Sequence, residues 1–430
     1  MKDYKESGTQ GIGLIPHSWN SKQLGIFFSE NRRANSYLQS VTALQFKYGE
    51  IIQKPSNGRD LSDKDKELLS KYTVIEPGDV VVNGLNLNFD LKSLRIAIAR
   101  ENGIITSAYI VLRPRKGVNS EYYNYVLKAL DFQKILHGMG EGIRLTLSYE
   151  ELKKLNVPAP DAAIQAAIVS YLDEKCGEID SLIGLQEHMI EKLKAYKQSV
   201  ITEAVTKGLD PNAKLVPSGI NWIGEIPEGW EVIKTKYIAD KIFKGNGITK
   251  EEVFIDGDIP CVRYGEIYSK YTQAFKTCFS ATNLDIQKSP QYFHYGDILC
   301  AGTGELVEEI GKSIVYLGDQ ECLAGGDIIV IRHHQDPSFL NYALNSNYAQ
   351  TQKSRGKAKL KVVHISAFEI GSTYILLPPL SEQKTIASYL NEKCADIDRL
   401  IEIKQQKIEK LKDYKKSVIY EAVTGKIDII

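Results

Sequence analysis

One stretch of this chain is written twice. From Tyr171 the sequence runs YLDEKCGEIDSLIGLQEHMIEKLKAYKQSVITEAVTKG, and from Tyr389 it runs YLNEKCADIDRLIEIKQQKIEKLKDYKKSVIYEAVTGK. The offset, 394 − 176 = 218, carries Gln165 onto Gln383, Asp180 onto Asp398, Tyr196 onto Tyr414 and Glu203 onto Glu421 without a gap. Self-similarity of this period constrains the architecture before any residue is given a chemical role. In the first copy Leu172, Cys176, Ile179, Ile183, Gln186, Ile190, Leu193, Lys197, Val200 and Ala204 follow one another in steps of four and three. Leu390, Cys394, Ile397, Ile401, Lys404, Ile408, Leu411, Lys415, Val418 and Ala422 do the same in the second. That rhythm specifies a coiled-coil seam, and its matched polar interruptions can fix register and orientation. At ~1.5 Å per residue, some 40 residues predict a rod of about 60 Å. Because one chain holds both copies, the economical arrangement pairs them antiparallel with each other.

The repeat is not only helical. Residues 8–19, GTQGIGLIPHSW, return as residues 219–230, GINWIGEIPEGW, at an offset of 230 − 19 = 211. Both predict an extended, Pro-terminated opening segment. Each half then runs opening segment, variable body, proline hinge (157–161 and 377–381), long helix. Asp161 or Ser381 can cap the helix, Glu382 and Gln383 suit its first turn, and Gly208 and Gly425 are its expected stops.

The first body has strand signals over 74–84, 95–100 and 104–113 and helical patterns near 61–71 and 120–135. The second has strand signals over 295–300, 313–317 and 327–332 and a helix near 338–350. Gly78-Asp79-Val80-Val81 and Gly296-Asp297-Ile298-Leu299 read as the same strand start. The expected fold is therefore α+β: two α/β bodies separated by an antiparallel coiled coil of two long helices, with a pseudo-twofold internal repeat. The boundaries read as an opening segment 1–19, first body 20–160, first long helix 161–207, linker 208–230, second body 231–379, second long helix 380–425 and tail 426–430.

At 430 residues, with 43% hydrophobic and 25% charged residues, the composition is that of an ordinary globular chain. The start, MKDYKESGTQ, lacks an apolar signal core and no run is long enough for a membrane span, which predicts a cytoplasmic protein without membrane association. Six cysteines form no C-x-x-C pair and seven histidines show no metal spacing, so no metal site and no catalytic constellation is expected. Fifty-four Lys+Arg against 54 Asp+Glu leave no net charge, so any nucleic-acid face must come from local patterning.

The order of WIGEIP-x-x-W, a variable domain, a proline hinge with Glu382-Gln383, a long helix ending EAVTKGLDP, and the whole again ending EAVTGKID resembles the specificity subunit of type I restriction–modification systems. Residues 301–312 and 322–328 resemble stretches of that family's target-recognition domains. The first hinge departs from the Pro-Pro-Leu-x-Glu-Gln form and keeps only Gln165 of it. The resemblance implies that each body reads one half of a split target in double-stranded DNA. It implies that the helices hold the bodies apart and dock two DNA methyltransferase subunits, through which restriction and translocase subunits join. Methyl transfer, ATP hydrolysis and cleavage then belong to other chains, with S-adenosylmethionine, ATP and Mg bound there and no cofactor bound here.

The sharpest local charge pattern is Lys353, Arg355, Lys357, Lys359 and Lys361, five cations in nine residues around Gly356. Such a run raises phosphate affinity by counterion release, and Arg355 can fork onto phosphate or guanine; the plain alternative is a solvated loop. The glycine-rich loop at 302–313 brings Thr303 to the same candidate surface. Its ending, Gly311-Lys312-Ser313, suggests a phosphate loop, but Leu306 stands where the motif needs glycine and acids line the loop. In the first body the counterpart segment offers His137 and Arg144, and a second cluster holds Asn83, Asn86, Asn88 and Arg95; asparagine pairs bidentately with adenine, although Asn-Gly is also a turn signal. Two other readings stay open: a nucleotide-binding enzyme using residues 302–313, and a coiled-coil scaffold that binds no DNA.

Overall fold

The structure is a computed structural model that describes residues 3–9, 11–47, 49–55, 61–88, 93–140, 145–220, 223–304, 306–357 and 363–429. The chain divides into two compact units, Met1–Glu187 with Gln405–Ile430, and His188–Lys404.

In the first unit four antiparallel strands lie in the order Phe28–Glu30, Ile110–Pro114, Val80–Val82, Ile96–Ile98. The β-branched run of Val80, Val81 and Val82 suits a strand buried on both faces. Val80 and Val82 pack with Tyr122, Val126 and Leu130 of helix Ser120–Phe132, while Val81 faces Leu44, Ile75 and Ile105. That second face is closed by two small ladders, Thr73–Ile75 with Gly103–Ile105 and Leu44–Lys47 with Glu50–Gln53.

The second unit has a five-stranded sheet in the order Ala239–Lys244, Ile328–His333, Ile298–Ala301, Ser313–Tyr316, Ala274–Phe275. Its central strand obeys the same alternation. Ile298 and Cys300 face helix Pro337–Asn345, and Leu299 and Ala301 face a lobe carrying a four-stranded sheet of Ser280–Thr282, Ile259–Val262, Cys322–Ala324 and Tyr292–Phe293. The helix expected near 338–350 is two helices, Pro337–Asn345 and Asn347–Ser354. Ser346, extended at ψ 155°, breaks the run and its hydroxyl accepts from the Ala349 amide (3.2 Å) to start the next helix.

The opening segments are hairpins, Tyr4–Glu6 with Leu14–Pro16 and Leu215–Pro217 with Glu225–Pro227, related by the offset of 211. The next strands, Asn20–Gln23 and Glu231–Lys234, pair with the hinge strands Asn156–Ala159 and Tyr374–Leu377. From Asp79 and Asp297 onward the offset is 218, so the seven extra residues of the second body lie in the lobe between. That lobe is where the two bodies cease to resemble each other.

The long helices span Ala162–Lys207 and Leu380–Val423. The second begins at Leu380, so Ser381 lies inside it and does not cap it. The glutamine shared by the hinges secures each start instead: Gln165 Nε2 donates to Pro160 O (2.8 Å) and Gln383 Nε2 to Pro378 O (2.9 Å). Both helices stop at a left-handed glycine, Gly208 (φ 76°) and Gly425 (φ 71°), where a side chain would be strained and would meet Trp230 or Trp19.

Each unit contains a stretch of both helices, packed antiparallel. In the first unit Ile168, Leu172 and Cys176 share a core with Val418, Ile419, Ala422 and Val423. In the second, Val200, Ile201, Ala204 and Val205 share one with Ile386, Ala387, Leu390 and Cys394. The expected seam residues Leu172, Ile179, Ile190, Val200, Leu390, Ile397, Ile408 and Val418 are buried, and Ile183, Leu193, Ile401 and Leu411 are half-buried. The seam lysines reach across to the facing helix: Lys415 Nζ donates to Asp180 (2.7 Å) in the first unit, and Lys197 Nζ to Asp398 (2.6 Å) in the second. No helix among the described residues is long and apolar enough to cross a membrane.

A candidate nucleic-acid interface

In the second body the site begins at a turn that only glycine fits easily. Gly296 (φ 88°) folds the chain so that Asp297 accepts from the His294 amide (3.0 Å), and the same buried carboxylate takes a fork from Arg332, Nε to Oδ1 at 3.3 Å and NH2 to Oδ2 at 3.0 Å. The buried strand Ile298–Ala301 starts from this anchored turn and leads through buried Gly302 to half-buried Thr303. Gly302 N donates to Asp327 O (2.7 Å), and Gly302 O accepts from Ile365 N (2.9 Å). Thr303–Gly304 then pairs with Val363–His364, which puts Thr303 Oγ1 3.0 Å from His364 Nδ1. Lys357 Nζ donates to His364 O (2.6 Å) and to Glu369 Oε1 (2.7 Å). Thr303, His364 and Lys357 are thereby gathered, with exposed Arg355 two residues before the lysine. Lys359 and Lys361 lie outside the described residues.

Lys353 corrects the expectation placed on it. It closes helix Asn347–Ser354 but is only 3% exposed, and its ammonium donates to Gly311 O and Leu344 O at 2.8 Å each. Burial pushes its pKa down to about 8. The lysine pins the left-handed turn at Gly311 to the end of the neighbouring helix and presents no charge to a phosphate. The segment 302–313 leads into strand Ser313–Tyr316, not a helix, so it has no helix N-terminus at which phosphate-binding amides could converge.

The first body builds the same place from different residues. Gly78 (φ 93°) repeats the turn, Asp79 accepts from the Glu76 amide (3.0 Å), and Arg113 forks onto Asp79, Nε to Oδ1 at 2.7 Å and NH2 to Oδ2 at 2.6 Å. Strand Val80–Val82 delivers Gly84, whose carbonyl accepts from Leu147 N (2.9 Å), as Gly302 does from Ile365.

Arg95 and His137 are corrections of the same kind. Arg95 is 1% exposed, and its NH1 donates to Asn83 O (3.1 Å) and Leu85 O (2.8 Å) while Nε donates to His137 Nε2 (3.3 Å). A guanidinium taken up by main-chain carbonyls stiffens the 83–86 loop from below and is not offered to a ligand. His137, itself buried, completes that support. Asn83 is half-buried, with Oδ1 accepting from Leu85 N (3.2 Å) in a turn, whereas Asn86 (φ 51°) and Asn88 are exposed. Arg144 lies outside the described residues.

The two forked Asp–Arg pairs and His364 are not among the expected contacts. The repeated Gly-Asp start signals the first; nothing local signals the histidine, which reaches the site only through its strand pairing with Thr303. Among the described residues no group of three or more His, Cys, Asp or Glu side chains is placed to hold a metal ion. What the arrangement offers is hydrogen bonding and positive charge from paired loops on a rigid sheet.

Residues 227–413 match the family model described as the type I restriction modification DNA specificity domain. The chain is 26% identical, over all of its length and 98% of the relative's, to the type I restriction enzyme MjaVIII specificity subunit of Methanocaldococcus jannaschii. It is 22% identical to the EcoKI specificity subunit of Escherichia coli K12, covering 90% of this chain and 84% of that one. Its fold matches a chain from a solved structure of the assembly and conformational transition of the type I R-M system, with a TM-score of 0.68 at 15% identity, over 96% of this chain and 99% of that chain.

Proposed function

The chain belongs to the specificity subunits of type I restriction–modification systems, non-catalytic components of their complex, and on that footing we propose that it reads a bipartite, asymmetric DNA target and docks two DNA methyltransferase subunits. Residues 20–160 and 231–379 are the two target-recognition domains, and the long helices are the spacer between them. The observation that carries this reading is that one position of a shared sheet framework bears different side chains in the two bodies. Asn86 and Asn88 stand there in the first, and Thr303, His364, Arg355 and Lys357 in the second. Asparagine suits adenine and arginine suits guanine or phosphate, so unlike loops read unlike half-sites. Arg144, Lys359 and Lys361 are assigned phosphate contact on charge alone.

The docking part rests on a second repeat. Leu182 and Leu400, Leu185 and Ile403, and Tyr196 and Tyr414 are equivalent pairs along the helices, and all six are exposed. Two matching sets of exposed apolar side chains suit two copies of one partner. Restriction and translocase subunits join through that complex, S-adenosylmethionine, ATP and Mg reside on those partners, and the assembly works in the cytoplasm without a membrane.

Co-expression with the methyltransferase, followed by genome-wide mapping of methylated bases, tests the reading. The expected result is one asymmetric motif of two defined blocks around an undefined spacer, with light scattering giving two methyltransferases per chain. A continuous motif, or no motif, would falsify it.

A further inference from the structure

The second body contains three arginines, Arg263, Arg332 and Arg355. Arginine is the side chain best shaped to read guanine, since its fork matches O6 and N7 on the major-groove edge. Arg332 is committed to Asp297. Arg355 sits exposed just past the end of helix Asn347–Ser354. Arg263 is placed differently. It leaves strand Ile259–Val262 half-buried in a cleft of about 460 Å³ whose floor is four glycines, Gly245 and Gly325 among them, and whose walls carry Lys244, Tyr264 and Asp327.

The glycines are there because main chain meets main chain. A Cβ on Gly245 would collide with the Gly325 carbonyl, and one on Gly325 would lie 2.9 Å from Val262 O and 3.8 Å from Arg263 Cγ. The arginine stem thus lies against a surface no side chain can occupy, which restricts its path. Two neighbouring acids are engaged elsewhere: Asp327 pairs with Lys244 (3.0 Å), and Glu266 accepts from the Arg263 main-chain amide (3.0 Å) and from Ser280. A third, the exposed Glu251, has its carboxyl held below the ordinary value by hydrogen bonds with its own main chain and Thr249, to which the Arg263 charge contributes further. Among the described residues no direct ion pair ties the guanidinium to a carboxylate. Gly302 N donates to Asp327 O (2.7 Å), so the main chain of one cleft residue is bonded directly to the residue before Thr303. Tyr264, 40% exposed, stands on the lip of the cleft. Among the described residues the first body shows no counterpart, its lobe being built on hairpin Leu44–Lys47/Glu50–Gln53 and helix Asp63–Ser70.

We propose that Arg263 is a specificity-determining residue that reads a guanine in the half-site recognised by the second body, aimed by the glycine-floored cleft. The proposal rests on the DNA-recognition reading above. Its test uses the full chain co-expressed with its methyltransferase, in wild-type, R263A, R263K and R355A forms, with methylated sites mapped and duplex binding measured against salt. R263A and R263K are expected to relax one guanine position of a single half-site by about tenfold or more, leaving the other half-site and the salt slope unchanged. R355A is expected to weaken all sequences alike and to flatten the salt slope by about one charge. R263K acting as wild type, or R263A weakening all sequences uniformly, overturns the proposal, because a phosphate contact needs only charge. R263A that melts like wild type and keeps an unchanged motif overturns it as well. A wild-type complex with no sequence preference instead defeats the recognition reading itself, so the two failures are distinct.

Discussion

At the scale of single residues, the charges that look most available are the ones most thoroughly used. Lys353 sits in a run of five cations, yet its ammonium is held by two carbonyls away from water. That burial has a sign that can be measured. Its folded pKa of about 8 lies below the ordinary 10.5, so between those values the unfolded chain carries a proton that the native chain has released. Stability then rises with pH across about 8 to 10.5, and the full penalty of the buried charge is present below 8. Chemical denaturation of wild type and K353M over that window should show the difference between them growing in favour of the wild type. A difference that is flat with pH would mean that Lys353 is not the titrating group. The same residue shows a limit of sequence reading. Charge density along a chain is visible in one dimension, whereas the carbonyls of Gly311 and Leu344 that take up the proton donor come from other segments. Arg95 is hidden for the same reason: its acceptors are main-chain atoms, which every sequence has and none displays.

At the scale of elements, legibility follows the range of the forces involved. The seam was readable because a 4-3 rhythm is local, and its members are buried or half-buried in both helices. The strand starting at Val80 and its counterpart at Ile298 were readable from their apolar runs. The four-stranded lobe of the second body was not, because its strands are two to four residues long and the parallel pair Cys261↔Leu323 joins segments sixty-two positions apart. Pairing at such distance depends on tertiary closure, with little support from local propensity. The seam also carries a prediction. Lys197–Asp398 and Lys415–Asp180 are partly exposed, so each contributes at most about 1 kcal/mol, and their value lies in register. D398K should lower the thermal midpoint by placing like charges together, and K197D/D398K should recover most of the loss. If the double reversal is no better than the single one, the pair does not act across the seam.

At the scale of the whole molecule, the long helices are proposed to set how far apart the half-sites lie. Removing one heptad from each keeps the seam in phase and shortens the spacer element by ~10 Å. Methylation mapping of that variant should show both blocks of the motif unchanged and the undefined stretch between them shortened; an unaltered stretch would mean the helices are not the ruler. The division of the chain has another consequence, in the order in which it can be assembled on the ribosome. Unit His188–Lys404 is continuous in sequence, and its core can close as soon as its own residues have emerged. The first unit cannot. Val418, Ile419, Ala422 and Val423 belong to its core, so Ile168, Leu172 and Cys176 lack part of their cover until that distant segment has been made. The body synthesised first is therefore the one completed last, and throughout that interval it exposes apolar surface of the kind chaperones bind and aggregation exploits.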